Sequence, residues 1–394
     1  MHLRNCLAGT LALVFLVAVL FEPSRQLYHR AQDWQAARGA LAAAQSQGPN
    51  RSGDLVLEPH VQQQRLQGLG SKYEVKDPSA KLTLVSPLQI SDAGRFLILM
   101  STLRHNLLPK TVSAMILLVP DSDYPAFSLI TRFALDFPVT VIAEADMFPP
   151  EVPSQAFNGY ARQMLLKLLV AQHVKTEFYL TLDADLLLKR PMNVTSLVRN
   201  GKATFNPETY AVTKEHWWKG SEKMLEAEGC INREQPLFGV TPSVLSRRIS
   251  TLVLERLEQL HGKGFEVMMV RDKHSEWSEY TLYRIAACFF GVFDTYHEFL
   301  GHSVYDTHAS AWTYHAAINW NATNAFTNET SAEPFALVQG RTHLPERVVS
   351  QKIEQFVSPA SARVAKKEGS APKLRQLAAG APRRAGLLSE RLNF

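Results

Sequence analysis

Apolar runs alternate with segments of helical periodicity along the middle of the chain. The connections between them are short, as in folds built from strand–helix–strand units. The predicted strands are 81–87, 113–120, 138–145 and 177–188. The predicted helices are 91–106, 124–135 and 158–173. This order predicts an α/β fold with a mostly parallel, doubly wound sheet and helices on both faces, in which ligands bind beyond the carboxyl ends of the strands.

An almost unbroken apolar segment lies near the amino terminus, at residues 6–21. A helix of this length spans about 24 Å, which is short against a hydrocarbon core of about 30 Å. The pattern is typical of a cleaved signal peptide or of an uncleaved signal anchor. We favour the anchor, because no small-x-small cleavage signature follows Phe21. The prediction is a single-pass type II transmembrane helix, with a cytoplasmic tail at 1–5 and a stem or linker at 22–78.

Composition and charge change the picture only when they are sorted by position. Hydrophobic residues make up 46% of the chain and charged residues 20%, which excludes wholesale disorder. The net charge is +5, yet residues 31–358 hold 31 basic and 34 acidic side chains. The excess of positive charge belongs to the ends, mostly to 359–394, which we interpret as a basic disordered tail. The tail lacks interleaved aromatic residues, so we expect no nucleic-acid partner.

Glycosylation sequons and cysteines bear on the cellular compartment. A lumenal position in the Golgi or the ER agrees with four Asn-x-Ser/Thr sequons, and we expect a glycoprotein there. The sequons begin at Asn50, Asn193, Asn321 and Asn328. Outside the apolar segment the chain has two cysteines, Cys230 and Cys288, which form either one disulfide or two buried free thiols.

Two aspartates follow the last predicted strand. Asp183 and Asp185 alternate along an extended segment, so both carboxylates can face one site. Oxygen ligands of this kind suit Mn²⁺ or Mg²⁺, which complete their coordination with water and substrate phosphates. We therefore predict a metal site that holds a nucleotide diphosphate. The alternative is a pair of turn carboxylates that cap the next segment.

The helix before this strand carries polar residues on one face. Tyr160, Gln163 and Lys167 are spaced three and four residues apart and share that face. We expect Gln163 and Lys167 to bind the donor, with Lys167 near a phosphate and Arg162 as a second cation. The alternative for each charged residue is an exposed position on the helix surface.

The segment 159–191 resembles the helix, strand and DxD core of GT-A glycosyltransferases, and is most similar to an uncharacterised DxD-containing family of proposed glycosyltransferases. The segments 236–249, 276–285 and 335–345 also resemble that family. The resemblance covers about residues 80–358. It implies a Rossmann-like GT-A catalytic domain at 79–358, divided into a nucleotide-sugar half (79–191) and an acceptor half (192–358). It also implies a divalent metal between the DxD and the donor diphosphate.

Two acidic residues open the predicted helix at 276–285. An inverting transferase needs a carboxylate that accepts the proton of the acceptor hydroxyl. Inverting enzymes of the resembled class place an acidic residue at the start of a comparable helix, so Glu279 is the predicted base and Glu276 the second choice. Either residue also suits the first turn of a helix for electrostatic reasons alone. A retaining enzyme would need no such base.

Other residues are weaker candidates for the site. Gly239 lies where we expect a strand, 238–242, to pass into a helix, and it allows close approach of a sugar or simply close packing. Aromatic rings stack on sugars or fill cores; the tryptophans considered are Trp217, Trp218, Trp277 and Trp312. Histidines late in the chain are candidates for a third metal ligand, although an ordinary polar role is expected for each. They are His302, His308, His315 and His343.

These observations predict a metal-dependent glycosyltransferase that moves a sugar from a nucleotide-diphosphate donor to a glycan or glycoprotein acceptor in the secretory pathway. The chain has no phosphate-binding loop, nucleophile elbow or zinc-binding helix motif. One alternative is a non-catalytic glycan-binding protein with the same fold. A glycoside hydrolase is a further alternative, but it needs two carboxylates on opposite sides of a cleft.

Overall fold

The structure is a computed structural model of the whole chain. It describes residues 81–129, 136–150, 152, 159–208, 215–234, 237–271 and 276–357. The predicted anchor, the stem and the basic tail lie outside these residues. Among the helices within them, none has the length and apolar character needed to cross a bilayer.

Eleven strands are formed by the described residues. In chain order they are β1 (Leu82–Pro87), β2 (Val112–Val119), β3 (Val139–Ala143), β4 (Phe178–Thr181), β5 (Leu186–Leu188), β6 (Val198–Arg199), β7 (Lys202–Ala203), β8 (Pro207–Glu208), β9 (Leu237–Phe238), β10 (Ser243–Ser246) and β11 (Phe335–Leu337). The main sheet has the order β10-β4-β1-β2-β3. Its first four strands in the chain pair in parallel, and β10 is antiparallel to β4. The predicted α/β fold with a mostly parallel sheet is therefore confirmed.

The described α-helices are α1 (Ala93–Asn106), α2 (Tyr124–Phe127), α3 (Gly159–Leu169), α4 (Glu215–Leu225), α5 (Arg247–His261), α6 (Phe265–Arg271), α7 (Glu279–Phe289), α8 (Phe293–Tyr296), α9 (Tyr314–Ile318), α10 (Ala322–Thr327) and α11 (Glu346–Val357). Helix α3 packs on β1 and against α5 and α6, while α1 packs on β5 and α11. Every residue of β1 and β4 is buried. Both faces of the sheet centre are therefore covered, which explains why these strands read as continuous apolar runs.

The predicted strand 177–188 is divided in the structure. β4 ends at Thr181, the two aspartates occupy a turn, and β5 then pairs antiparallel with β11 in a separate two-stranded sheet. The apolar residues on both sides of the turn are buried, so their pattern gave no sign of the break. The carboxylates therefore leave the main sheet on a turn rather than on an extended strand.

Two other predicted elements differ from those observed. Only Tyr124–Phe127 of the predicted helix 124–135 is helical among the residues described there, and 130–135 lie outside them. The predicted passage from strand to helix at 238–242 was wrong. A cis peptide bond joins Thr241 to Pro242, β10 follows, and helix α5 begins only at Arg247.

Helix α7 belongs to the same hydrophobic core as the main sheet. This helix packs against α4 and α5, and its surroundings include the fully buried side chains of Trp218, Trp277 and Tyr283. Two of the tryptophans considered for sugar stacking are thus core residues. A disulfide between Cys230 and Cys288 ties the end of α7 to the segment after α4, which settles the open question about these thiols.

Candidate functional site

Acidic side chains follow the carboxyl ends of the four parallel strands. Asp92 comes after β1, Asp123 after β2, Glu144 after β3 and Asp183 after β4. The carboxyl ends of neighbouring parallel strands meet at one edge of a sheet, so these groups gather there. Burial raises the pKa of Asp92, and the negative charges of Asp183 and Asp123 add to that rise. This edge is the usual ligand-binding position in open α/β sheets.

A buried ammonium group lies at the centre of the candidate site. Lys167 Nζ is 3.0 Å from Asp183 Oδ1 and 3.0 Å from Glu279 Oε1, and it donates a hydrogen bond of 2.9 Å to Thr241 Oγ1. Burial would lower the pKa of Lys167, but the negative charges of Asp183 and Glu279 hold that pKa well above its usual value. The lysine is therefore a fixed positive charge.

Four separate elements deliver these side chains. Lys167 lies in the last turn of α3, Asp183 follows β4, and Thr241 precedes β10. Glu279 is the first residue of α7, because the Ser278 hydroxyl accepts a hydrogen bond from the Thr281 N–H and caps the helix there. The segments 159–191, 236–249 and 276–285, picked out in the sequence for their family resemblance, thus meet at one point.

Tyr280 completes the buried part of the cluster. Its hydroxyl forms hydrogen bonds with Thr181 Oγ1, at 2.9 Å, and with Thr241 Oγ1. Lys167 Nζ lies 5.5 Å from the centre of the Tyr280 ring, within reach of a cation–π interaction. Burial raises the pKa of Tyr280, so the phenol stays neutral and holds the lysine in place.

Glu279 is itself buried, with 3% of its surface exposed. Burial raises the pKa of Glu279, and the positive charge of Lys167 opposes that rise. One of its oxygens is engaged by the lysine. Its predicted role as the base stays a prediction, and the geometry gives it the separate task of balancing Lys167. The second choice, Glu276, is exposed, and its backbone carbonyl packs against Gly220 of α4.

Asp185 is not among the side chains paired with the lysine in the described structure. Its Oδ2 accepts a hydrogen bond of 2.8 Å from the Gly340 N–H, whereas its Oδ1 is buried and has no hydrogen-bond partner in the described structure. Burial, and then the charge of Asp183, raise the pKa of Asp185 to about 6. A buried carboxylate oxygen without a partner suits a cation, and the side chain of Asp183, 34% exposed, is the second oxygen donor at this turn.

Among the residues that the structure describes, no third protein ligand joins the two aspartates. Within the described residues, no group of three or more His, Cys, Asp or Glu side chains is arranged to hold a metal ion. The late histidines are therefore not brought to the aspartates, and His302 instead contacts the Ser303 carbonyl. Any cation here would take most of its ligands from water and substrate, as Mg²⁺ and Mn²⁺ commonly do.

The remaining predicted donor-binding residues differ in their placement. Gln163 Nε2 lies 3.4 Å from Asp183 Oδ1 and joins the cluster. Arg162 does not point to it: the guanidinium is buried, pairs with Glu144 after β3 and lies over the Phe148 ring. Tyr160, on the same face as Gln163, is 40% exposed and packs near Trp217.

Gly239 packs closely against a carboxylate. A Cβ at this position would lie 2.4 Å from Glu208 Oε1, so the absent side chain makes room for Glu208. The structure thus supplies a packing reason for this glycine, which was one of the two expectations from the sequence.

Residues 79–361 match a family described as a family of unknown function, DUF6492. The chain belongs to this family. The match contains every residue of the Lys167 cluster. No curated protein sequence matches this DUF6492 member.

Three solved structures show a distant likeness. Mouse xyloside xylosyltransferase 1, in its apo form, is 13% identical with a TM-score of 0.40, over 66% of this chain and 99% of that one. The bifunctional glycosyltransferase WbbM gives the same identity and score over 66% of this chain and 45% of its own. The galactosyltransferase LgtC, in complex with donor and acceptor sugar analogues, is 12% identical with a TM-score of 0.38, over 74% and 98%. Likeness at this level carries no conclusion about activity.

Several site residues were not predicted from the sequence. Tyr280 and Thr241 adjoin predicted residues, but nothing in their spacing shows that they meet. Gly340 acts through its backbone N–H, and the partnership of Glu144 with Arg162 depends on how α3 packs. A signal was available for Gly340, since it lies in the segment 335–345 that carries the family resemblance.

Proposed function

We propose that this protein is a metal-dependent glycosyltransferase that moves a sugar from a nucleotide-diphosphate donor to a glycan or glycoprotein acceptor. The proposal depends on one observation above all. Lys167, Asp183 and Glu279, from three different elements, meet at the carboxyl edge of a parallel sheet, beside an Asp185 oxygen that has no hydrogen-bond partner in the described structure. This edge combines charged side chains with a carboxylate oxygen that no protein group engages. Such a combination suits an anionic ligand that binds through a cation.

Asp183 and Asp185 are the proposed holders of Mn²⁺ or Mg²⁺. When bound, the cation would neutralise the negative charge that develops on the diphosphate as it leaves. The part played by the chain itself is to orient the two carboxylates. The Gly340 N–H fixes Asp185 Oδ2 and leaves Oδ1 for a ligand, while Lys167 and Gln163 fix Asp183 Oδ1.

We propose for Lys167 a role other than the direct phosphate contact expected of it. It is 3% exposed and already has three polar partners, so a phosphate would have to displace one of them. We propose that Lys167 positions Asp183 and that Glu279 balances the remaining charge. Arg162 is assigned to Glu144 instead of the donor.

The proposed compartment is the lumen of the Golgi or the ER, with the apolar segment 6–21 as a type II signal anchor. Two features support this. A disulfide links Cys230 to Cys288, and disulfides persist in oxidising compartments. The asparagines of the three sequons within the described residues, Asn193, Asn321 and Asn328, are all exposed.

The geometry is unfavourable for a glycoside hydrolase. Asp183 Oδ1 and Glu279 Oε1 lie 3.0 Å from the same nitrogen, so the two oxygens are at most twice that distance apart. The spacing alone resembles that of a retaining hydrolase. The lysine ammonium, however, occupies the space between the carboxylates, and a sugar cannot lie there.

The test is calorimetric binding of UDP and GDP to the full chain, with and without Mn²⁺, followed by a donor screen over nucleotide sugars. We expect binding that requires Mn²⁺ and is lost in Asp185→Asn. A matched control is Asp136→Asn, an exposed aspartate ahead of the amino end of β3, at the opposite edge of the sheet. Absence of metal-dependent binding in the wild type would exclude the proposed function. Equal binding by Asp185→Asn would exclude only the metal assignment.

A further inference from the structure

Glu208 is a further carboxylate near the site, partly buried, and the proposed function has not used it. It is the last residue of β8, and its Oε1 accepts hydrogen bonds from the Val240 N–H, at 3.2 Å, and from the Tyr305 hydroxyl, at 3.1 Å. No ion pair to Glu208 occurs within the described part of the chain. The structure there also shows no hydrogen bond to its other oxygen, Oε2, and the residue keeps partial exposure.

The sheet register places Glu208 beside the Lys167 cluster. β10 runs antiparallel to β4 with Ser243 opposite Thr181, so residues 239–242 continue past the carboxyl end of β4. Thr241 in that segment accepts the hydrogen bond from Lys167, and Val240, its neighbour, holds Glu208. The carboxylate therefore borders the same edge of the sheet as the two aspartates.

The other partner of Glu208 belongs to a segment that pairs with the small sheet after the aspartate turn. Tyr305 forms a β-bridge with Phe335, the first residue of β11, and Phe335 lies opposite Leu188, the last residue of β5. Glu208 is thus held between the segment that continues past the end of β4 and a segment that pairs with β11.

Glu208 and Glu279 differ in what their carboxylates can reach. A base that takes a proton from a substrate must lie within hydrogen-bond distance of that proton. Its carboxylate must also not be paired with a cation of the protein already. Glu279 is 3% exposed and paired with Lys167. Glu208 has one oxygen fixed by two donors and the other free of such bonds in the described structure. Burial also raises the pKa of Glu208 above its usual value, while the hydrogen bonds from Val240 and Tyr305 oppose that rise.

We propose that Glu208 is the general base of the transfer reaction, the group that accepts the proton of the acceptor hydroxyl. This inference rests on the proposed function. In the step, the acceptor oxygen forms a bond to the anomeric carbon of the donor while the bond from that carbon to the diphosphate oxygen breaks. The electron pair leaves with the nucleoside diphosphate, the proton goes to Glu208 Oε2, and the configuration at the anomeric carbon inverts. Glu208 later releases the proton to water.

The arrangement around Glu208 explains two other residues. Gly239 has no side chain because a Cβ there would overlap the Glu208 carboxylate. Tyr305 orients Oε1 and, by donating a hydrogen bond to the charged form, lowers the pKa of Glu208. Tyr305 is therefore a positioning residue, and its hydroxyl lowers the pKa of the Glu208 carboxyl group.

The first experiment measures transfer and Mn²⁺-dependent UDP binding in the full chain. We expect Glu208→Gln to lose at least about 100-fold in kcat, the usual contribution of a general base, while its affinity for Mn²⁺ and UDP changes less than about twofold. Formate should restore part of the activity of Glu208→Ala. Tyr305→Phe should stay active, with the acidic limb of its pH profile moved to higher pH. Glu298→Gln, at an exposed glutamate, is the matched control and should behave as wild type.

Clear results would overturn the assignment. Activity of Glu208→Gln within tenfold of wild type, or a product with retained anomeric configuration by NMR, excludes Glu208 as this base. Loss of both UDP binding and activity in Glu208→Gln, without rescue of Glu208→Ala by formate, means a structural role. If instead the wild type neither binds Mn²⁺ and UDP nor transfers sugar, the proposed function fails first.

A second experiment tests the carboxylate without any substrate. Labelling of the folded wild type with a water-soluble carbodiimide and an amine, read by mass spectrometry, should modify Glu208 and spare Glu279. Failure to label Glu208, or equal labelling of the two glutamates, overturns the inference whether or not the protein is a transferase.

Discussion

At the scale of single residues, the stability of the charge cluster depends on Lys167. Its ammonium compensates Glu279, which is buried, and Asp183, which is partly exposed. We predict that Lys167→Met lowers the free energy of unfolding by about 3–5 kcal/mol, because removal of one partner leaves a buried charge uncompensated. Chemical denaturation of the two proteins measures the difference.

The control for Lys167 is an exposed lysine in an ion pair. Lys219 and Glu215 form a helical pair in which both side chains are more than half exposed, so Lys219→Met should change stability by less than about 1 kcal/mol. Combining Lys167→Met with Glu279→Gln should cost less than the sum of the single changes. A fully additive double variant would show that the two groups do not compensate each other.

A buried histidine makes the stability of the protein depend on pH. His297 Nδ1 donates to the Ala203 carbonyl, and Nε2 accepts from the Tyr283 hydroxyl, which itself accepts from the Ser246 N–H. Burial lowers the pKa of His297 to about 3. The unfolded chain, with a histidine pKa of about 6.5, therefore binds more protons between these values, and stability falls as the pH drops below about 6.5.

We predict that this group alone removes about 2 kcal/mol of stability between pH 7 and pH 5. The measurement is denaturation at both pH values for wild type and His297→Gln. The variant should be less stable at pH 7, yet its stability should change less between the two. An unchanged difference between the two pH values would show that His297 is not the titrating group.

Part of the site could be foreseen from the sequence, and the rest could not. Gln163, Lys167, Asp183 and Glu279 do meet, since spacing on a helix and a position after a strand are local properties. Contacts made across elements have no such signal. Arg162 looks as suitable for a phosphate as Lys167, but the way α3 packs turns it to Glu144 instead.

At the scale of elements, a glycine in α4 allows the segment just before α7 to approach helix α4 closely. A Cβ on Gly220 would lie 1.8 Å from the Glu276 backbone oxygen, ahead of α7. We predict that Gly220→Ala lowers the free energy of unfolding by about 1–3 kcal/mol, because the backbone has to move and the gain in helix propensity of about 1 kcal/mol does not offset this. Denaturant unfolding measures the change.

Gly159 provides the matched control. It is also helical, as the first residue of α3, but a Cβ there meets nothing within 4 Å. Gly159→Ala should be neutral or stabilising by up to about 1 kcal/mol. If both substitutions had the same effect, the close approach of α4 to Glu276 would not explain the glycine at 220.

Prediction from the sequence succeeded where an apolar run corresponds to a single strand or helix. β1, β2 and β3 were foreseen because each reads as an apolar run, although β3, at the edge of the sheet, is only partly buried. The break between β4 and β5 was not, because both sides of the turn are equally buried. β10 was missed since its pairing with β4 depends on a chain reversal more than 60 residues later in the sequence.

At the scale of the whole molecule, the excess of positive charge lies in a different part of the chain from the candidate site. Residues 31–358 are slightly acidic in sum, and the basic excess lies in the termini. A region with this net charge is not expected to attract a diphosphate by its net field. Any attraction has to come from a local cation, which the carboxylates at the carboxyl edge of the sheet are suited to hold.

The final prediction follows from the proposed lumenal position and concerns N-glycosylation of the protein surface. Asn193, Asn321 and Asn328 are exposed, and Asn193 Oδ1 accepts a hydrogen bond from the Ser196 N–H, which leaves its Nδ2 available for a glycan. We expect the full chain made in mammalian cells to carry N-glycans, seen as a loss of mass after treatment with peptide N-glycosidase. Thr195→Ala should remove the glycan at Asn193, while Thr195→Ser should keep it. A chain whose mass the enzyme leaves unchanged would contradict the lumenal position, because these exposed sequons would then never have met the transferase of that compartment.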